Sequence, residues 1–196
     1  MSHNQTNGIG NNFSSLSNMS MSDGLLLGAF GLMTFAVMLL VLPWGMSGLV
    51  GIVSVIGWGL LLYFCSRKRS ANFIKSGYDW TFGRAYMHSL LTELFASAWV
   101  AVAVYVWFKF FDKGYFADSM IAIARRPDMQ QAIAEMEKTG MLNNLYFVTG
   151  ADSFEKAIVT FCNIPAETYC GMVVSWSLIL SPVIALVVAL ICKKYR

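Results

Sequence analysis

An all-α, polytopic integral membrane protein, with four transmembrane helices and a partly helical extracytoplasmic loop between the third and the fourth, is the fold class this sequence predicts. Three observations carry the expectation. Of the 196 residues, 57% are hydrophobic and 13% charged, whereas a soluble domain is roughly 45–50% apolar and about 25% charged. Four uninterrupted apolar runs stand at about residues 24–42, 48–64, 87–111 and 170–192. Each is about long enough to cross roughly 30 Å of hydrocarbon at 1.5 Å per residue. Finally, the runs lack the polar stripe that a helix of a soluble bundle carries, and in lipid every backbone amide must be satisfied internally, which selects helices over open strands.

Taken in chain order, residues 1–23 are rich in Asn and Ser and hold no Lys or Arg, so they read as a disordered tail without the charged n-region of a secretory signal. The remainder, 24–196, reads as one four-helix membrane domain. Between the first two spans lies only Pro43-Trp44-Gly45-Met46-Ser47, which has turn chemistry and an interfacial Trp and predicts a tight antiparallel hairpin. Gly24 and Gly28 on the first span, and Ser47 and Gly51 at the start of the second, form small-xxx-small faces that let helix backbones approach.

Orientation follows from charge. The connection between spans two and three carries Arg67, Lys68, Arg69, Lys75 and Arg84 against Asp79, and the C-terminus carries Lys193, Lys194 and Arg196. The positive-inside rule places both segments, and with four crossings the N-terminus, in the cytoplasm. The loop of about 112–169 then lies outside. Within it Pro127, Asp128, Met129, Ala132, Ile133, Met136, Lys138 and Gly140 spell a short amphipathic helix from first-turn proline to terminal glycine. A second helix is expected from Asp152, with Glu155 completing a capping box, to a stop at Pro165. Their apolar stripes are expected to fold back on the span ends or lie in the bilayer interface; a docking surface or a lid is the alternative.

Chemistry-bearing residues are sparse. Glu93 is the one acid inside a span, and Tyr86, Ser89, Glu93 and Ser97 share a helical face, a candidate polar seam directed into the bundle. The seam is either a proton or cation site or a polar pocket, or a structural feature in which Glu93 lies near the interface and pairs with Arg84 or another cytoplasmic base, or carries a proton. His88 falls on a different face, and the other histidine, His3, is in the tail, which speaks against a His-based metal or triad site. Cys65, Cys162, Cys170 and Cys192 make no zinc pattern; the proposed topology permits a disulfide between Cys162 and Cys170 on the oxidising side. Pro182, preceded by Ser175, Ser177 and Ser181, should bend the last span, with hydroxyls or a neighbouring helix meeting the freed groups. No phosphate-binding loop, zinc-protease motif, nucleophile elbow or pair of intramembrane carboxylates is present, so neither cofactor nor metal is expected. The excess of fourteen Lys and Arg over eleven Asp and Glu is only +3, too small to suggest nucleic acid.

The stretch Gly77-Tyr78-Asp79-Trp80-Thr81-Phe82-Gly83-Arg84-Ala85-Tyr86 resembles the signature G-x-x-x-[ST]-F-G-x-A-[FY] of the bacterial DUF4199 family. Gly77, Phe82, Gly83, Arg84, Ala85 and Tyr86 carry the match, with Thr81 at the [ST] position, over a layout that is similar from residue 24 to 196. In that family an acid after the third span is often followed by proline; here Lys113 follows Asp112. The resemblance implies a small four-helix protein of the bacterial inner membrane and supplies no reaction. Phe82-Gly83 is expected to permit close backbone approach beside an interfacial aromatic, with Arg84 snorkelling to the headgroups. The leading functional expectation is a structural or accessory subunit without catalytic activity. Its partners would be the lipid bilayer and a protein, or a second copy, meeting it through the first two helices or the 112–169 loop. The alternative is a small transporter or channel component built on the Glu93 seam; a membrane-embedded enzyme ranks below both.

Overall fold

The structure is a computed structural model that describes residues 4–77 and 79–193, with side chains from Ser15 onward. Eight α-helices follow one another without a strand among the described residues: α1 Asn4–Val41, α2 Ser47–Lys75, α3 Phe82–Val106, α4 Tyr115–Ala124, α5 Pro127–Lys138, α6 Asn143–Thr149, α7 Phe154–Cys162 and α8 Ala166–Cys192. Four segments are long and apolar enough to cross a membrane, Ser15–Trp44, Ser47–Lys75, Phe82–Phe111 and Ala166–Cys192. Their outward residues include Ile52, Val55, Leu178 and Ile179, all more than half exposed. A continuous belt of this kind suits acyl chains rather than water.

The helices extend past the apolar runs. α2 continues to Lys75 because Ser66 and Ser70 are buried in the bundle, and its end is closed by Gly77 at φ 84°. α1 likewise begins before residue 23, which corrects the expected disordered tail: Leu16 packs with Trp80, Ala85 and Ala189, and Ser20 is fully buried. Residues 1–3, including His3, lie outside the described residues, as do Lys194 and Arg196.

α3 occupies the centre, flanked by α1 and α8. The glycine face of α1 makes this possible, although against a different helix from the one expected. A Cβ at Gly24 would stand 2.7 Å from Cβ of Phe95 and 3.0 Å from the Thr92 carbonyl, and one at Gly28 would stand 3.2 Å from Cβ of Trp99, all on α3. Small residues serve close backbone approach wherever the tightest crossing falls, and the covalent hairpin does not decide that place. The contact of α1 with α2 is looser and ring-mediated: Trp58 lies against Gly31, and Phe30 against Gly57. Gly48 and Gly51 have open space where a side chain would be. A 3₁₀ turn, Leu42–Trp44, links the two helices, and Gly45 at φ 72° closes it.

The expected loop is a second small body. α5 runs from Pro127 to Lys138 as predicted, and Gly140 takes φ 72°. α4 and α6 have no counterpart in the sequence reading. Ala124, Ile133, Leu142 and Ile158 from the loop helices and their junctions form its core, so the stripes bury one another rather than span ends. The predicted capping box is not used. Ser153, extended at φ −150°, holds the N-cap position of α7, Asp152 pairs with Lys156 at 2.6 Å, and Glu155 pairs with Arg125 through two bonds of 2.8 and 2.9 Å. The guanidinium donating to Glu155 holds that carboxyl below its ordinary range. Arg126 donates to the carbonyls of Trp44 and Pro43, and Tyr115 to that of Leu39 at 2.8 Å, which seats this body on the hairpin turn. That end of the bundle is here called the cap end; the opposite end carries Arg67, Arg69, Lys75 and Arg84 and is the basic end.

Cys162 and Cys170 are both free thiols, so the bridge that the topology permits is not formed. Cys162 packs against the cap core, and burial, reinforced by the charge of Asp112, pushes its thiol up. A thiol held protonated is a poor partner for exchange.

Candidate functional site: a buried polar cluster at the basic end

Three helices converge on Asp23. Arg69 of α2 approaches it side-on, Nη2 to Oδ1 at 2.7 Å and Nε to Oδ2 at 2.9 Å, the bidentate geometry in which a guanidinium binds a carboxylate best. From α3, Nε2 of His88 lies 3.0 Å from the same Oδ2. A carboxylate only accepts, so the proton sits on Nε2 and, in the neutral ring, Nδ1 is an acceptor. Nδ1 is buried and has no partner among the described residues. Ser20 donates to the His88 carbonyl at 3.3 Å.

The α2–α3 turn covers this group. Trp80 is fully buried, edge-on to His88 at 5.6 Å and to Phe73 at 5.0 Å. Thr81 caps α3 by accepting from the Arg84 amide at 3.4 Å, and Arg84 turns back to donate to the Asp79 carbonyl at 2.7 Å while lying over the Phe73 ring. Gly77, Thr81, Arg84 and Ala85 are therefore structural elements of a turn that seats Trp80. Gly83 departs from expectation: it faces open space, and the small residue that permits close packing is the fully buried Ala85. Tyr78 lies outside the described residues.

Three of the four candidate seam residues are buried on another face of α3. Ser89 and Glu93 are fully buried and Ser97 nearly so; Tyr86 instead stacks on Phe82 at the edge of the inner core. Among the described residues, Glu93 reaches neither Arg84 nor another base. Its hydrogen-bond neighbour is Ser181 of α8, one residue before Pro182, and its Oε1 has no partner among the described residues. Ser177 donates to the Val173 carbonyl at 2.8 Å. Ser66, Ser70, Ser89 and Thr92 add buried hydroxyls without partners among the described residues, and each such group costs about 1–3 kcal/mol when dry.

Sequence reading thus found the Ser89–Glu93–Ser97 half and missed Asp23, Arg69, His88, Thr92, Ser66, Ser70 and Ser181. The available signal was an acid, a base and a histidine each at the same end of a different span. Asp23 meets partners 46 and 65 residues away, a separation that no local pattern encodes. No group of three or more candidate metal ligands occurs among the described residues.

Comparison with known proteins gives one family. A family model described as "Protein of unknown function (DUF4199)" matches residues 23–194. No curated protein and no solved structure matches the chain.

Proposed function

The chain belongs to the DUF4199 family, whose function is unknown, and from that premise we propose that it is a non-catalytic accessory or structural subunit of the bacterial inner membrane, with both termini cytoplasmic. The observation that carries this reading is the unpartnered small-residue start of α2. Ser47, Gly48 and Gly51 lie together on the span, and side chains added at either glycine would meet nothing. Inside a bilayer such a face supports close packing against another helix. The charge distribution supports the orientation. The interior beyond Ser97 also favours a non-transporting role, because buried α3 positions there are Ala101 and Val104, which offer no polar path across the bundle.

Purification in mild detergent from native membranes tests the proposal. A stoichiometric partner or a second copy is expected to accompany the wild-type protein and to be lost in Gly51→Leu, with the variant itself still folded. A lone monomer, unchanged by the substitution, would remove the support.

A second reading, a small transporter or channel component, is favoured by one feature, the buried and unpartnered Oε1 of Glu93. It requires proton or cation flux in reconstituted vesicles that falls in Glu93→Gln.

A further inference from the structure

The outward face of α2 changes character at its basic end. Leu49, Val53, Ile56, Leu60 and Phe64 recur at three- and four-residue spacing, so they share one face of the helix, and all are more than half exposed. Arg67 is the next residue on that face, and it too is exposed. The change falls where the spans leave hydrocarbon. Cys192, the last residue of α8, donates through Sγ to the Tyr63 carbonyl at 3.9 Å, and a tyrosine at the end of a span suits the aromatic belt of a membrane interface.

The Arg67 side chain turns back towards this belt. Its Nη1 donates to the Tyr63 hydroxyl at 2.7 Å, and its guanidinium lies 5.9 Å from the centre of the Tyr63 ring. A guanidinium only donates, so the Tyr63 oxygen accepts and its own proton is left to donate elsewhere; no acceptor for that proton occurs among the described residues. Among the described residues no carboxylate pairs with Arg67. The other arginines of this end are engaged, Arg69 by the Asp23 carboxylate at 2.7 Å and Arg84 by the Asp79 carbonyl at 2.7 Å. Asp79 itself lies beyond the end of α2, in the turn that leads to α3. Lys68, Lys75 and Lys193 add exposed positive charge.

We propose that Tyr63 and Arg67 form a headgroup site for an anionic phospholipid, with the Arg67 guanidinium and the Tyr63 hydroxyl donating to its phosphate oxygens and an acyl chain lying along Leu60 and Ile56. A phosphodiester is the complement of a guanidinium held beside a phenol O–H. An exposed apolar stripe that runs into a cation without a carboxylate matches such a lipid from tail to headgroup, and a soluble anion would make no use of the stripe. The inference rests on the membrane placement of the chain and is independent of the partner proposed for Ser47, Gly48 and Gly51, at the other end of α2.

The test uses the full chain in a mild non-ionic detergent, titrated with phosphatidylglycerol or with diacylglycerol of the same acyl chains, and counts the lipid retained by native mass spectrometry. The wild type is expected to hold phosphatidylglycerol more tightly than diacylglycerol by about five-fold or more. Arg67→Gln, at an exposed site, should weaken phosphatidylglycerol binding by about five-fold and leave diacylglycerol unchanged. Tyr63→Phe, which keeps the ring and removes the hydroxyl, should weaken it by a similar factor, about five-fold. Lys75→Gln removes one charge from the same end away from the site and should have little effect, and inorganic phosphate should not displace the lipid. Equal retention of the two lipids, insensitivity to Tyr63→Phe, equal losses in Arg67→Gln and Lys75→Gln, or displacement by inorganic phosphate would overturn the proposal.

Discussion

Substituting Asp23 by Ala is expected to destabilise the bundle by about 3 kcal/mol, towards the low end of what removing one member of a buried ion pair costs. The expectation follows from what the substitution leaves behind. Arg69 would lose both hydrogen bonds at 2.7 and 2.9 Å, and Nε2 of the fully buried His88 would lose its acceptor at 3.0 Å. The partial exposure of Arg69, 22%, allows the freed guanidinium to reach water, which is why the upper part of the range is not expected. Asp23→Asn, which keeps an acceptor but not the charge, should fall between wild type and Asp23→Ala. Arg69→Lys should behave nearly as badly as loss of the arginine, because an ammonium cannot reproduce the fork. Thermal unfolding in a fixed detergent, with the double variant Asp23→Ala/Arg69→Ala included, measures this directly. The double variant should lose clearly less than the sum of the single losses, since contacting residues couple by about 0.5–3 kcal/mol. Strict additivity would mean that the pair is not a unit.

Substituting Gly24 by Val should be comparably damaging, again about 3 kcal/mol, the upper part of the usual overpacking range. The obstacle at Gly24 is partly backbone, the Thr92 carbonyl at 3.0 Å, and partly Cβ of Phe95 at 2.7 Å, neither of which can rotate away. α1 would have to lift from α3, and the pairing of Asp23 with His88, one residue away in sequence, would open with it. Gly59 is the control, because a Cβ there meets nothing within 4 Å. Gly59→Ala should leave stability unchanged or raise it slightly, since alanine favours helix over glycine by about 1 kcal/mol. If Gly24→Val and Gly59→Ala unfold at the same temperature, the close α1–α3 crossing is wrong.

These two sites also show what the sequence could and could not disclose. The four spans were legible because each is a long apolar run, and α5 was legible because Pro127 and Gly140 punctuate it at both ends. α6, with Asn143–Thr149, was not, because a seven-residue helix has too few turns for periodicity to register. The start of α1 was misread because Asn and Ser composition signals disorder locally, whereas Ser20 and Leu16 are held by burial against α3, the α2–α3 turn and α8. Small-residue faces at Gly24 and Gly28 were visible as faces, but which helix they meet is a property of the assembled bundle. The same holds for the polar cluster: the seam on α3 follows from spacing along one helix, while the Asp23–Arg69–His88 group depends on pairings between three. The capping box at Asp152 failed for a related reason, since Glu155 is drawn to Arg125, 30 residues away.

A four-span protein requires lipid as the solvent of α1, α2, α3 and α8. Washing native membranes with alkaline carbonate and sedimenting them tests that most directly. The whole of the protein is expected in the pellet, released only by detergent; folded protein in the supernatant would contradict the four-span reading and everything built on it.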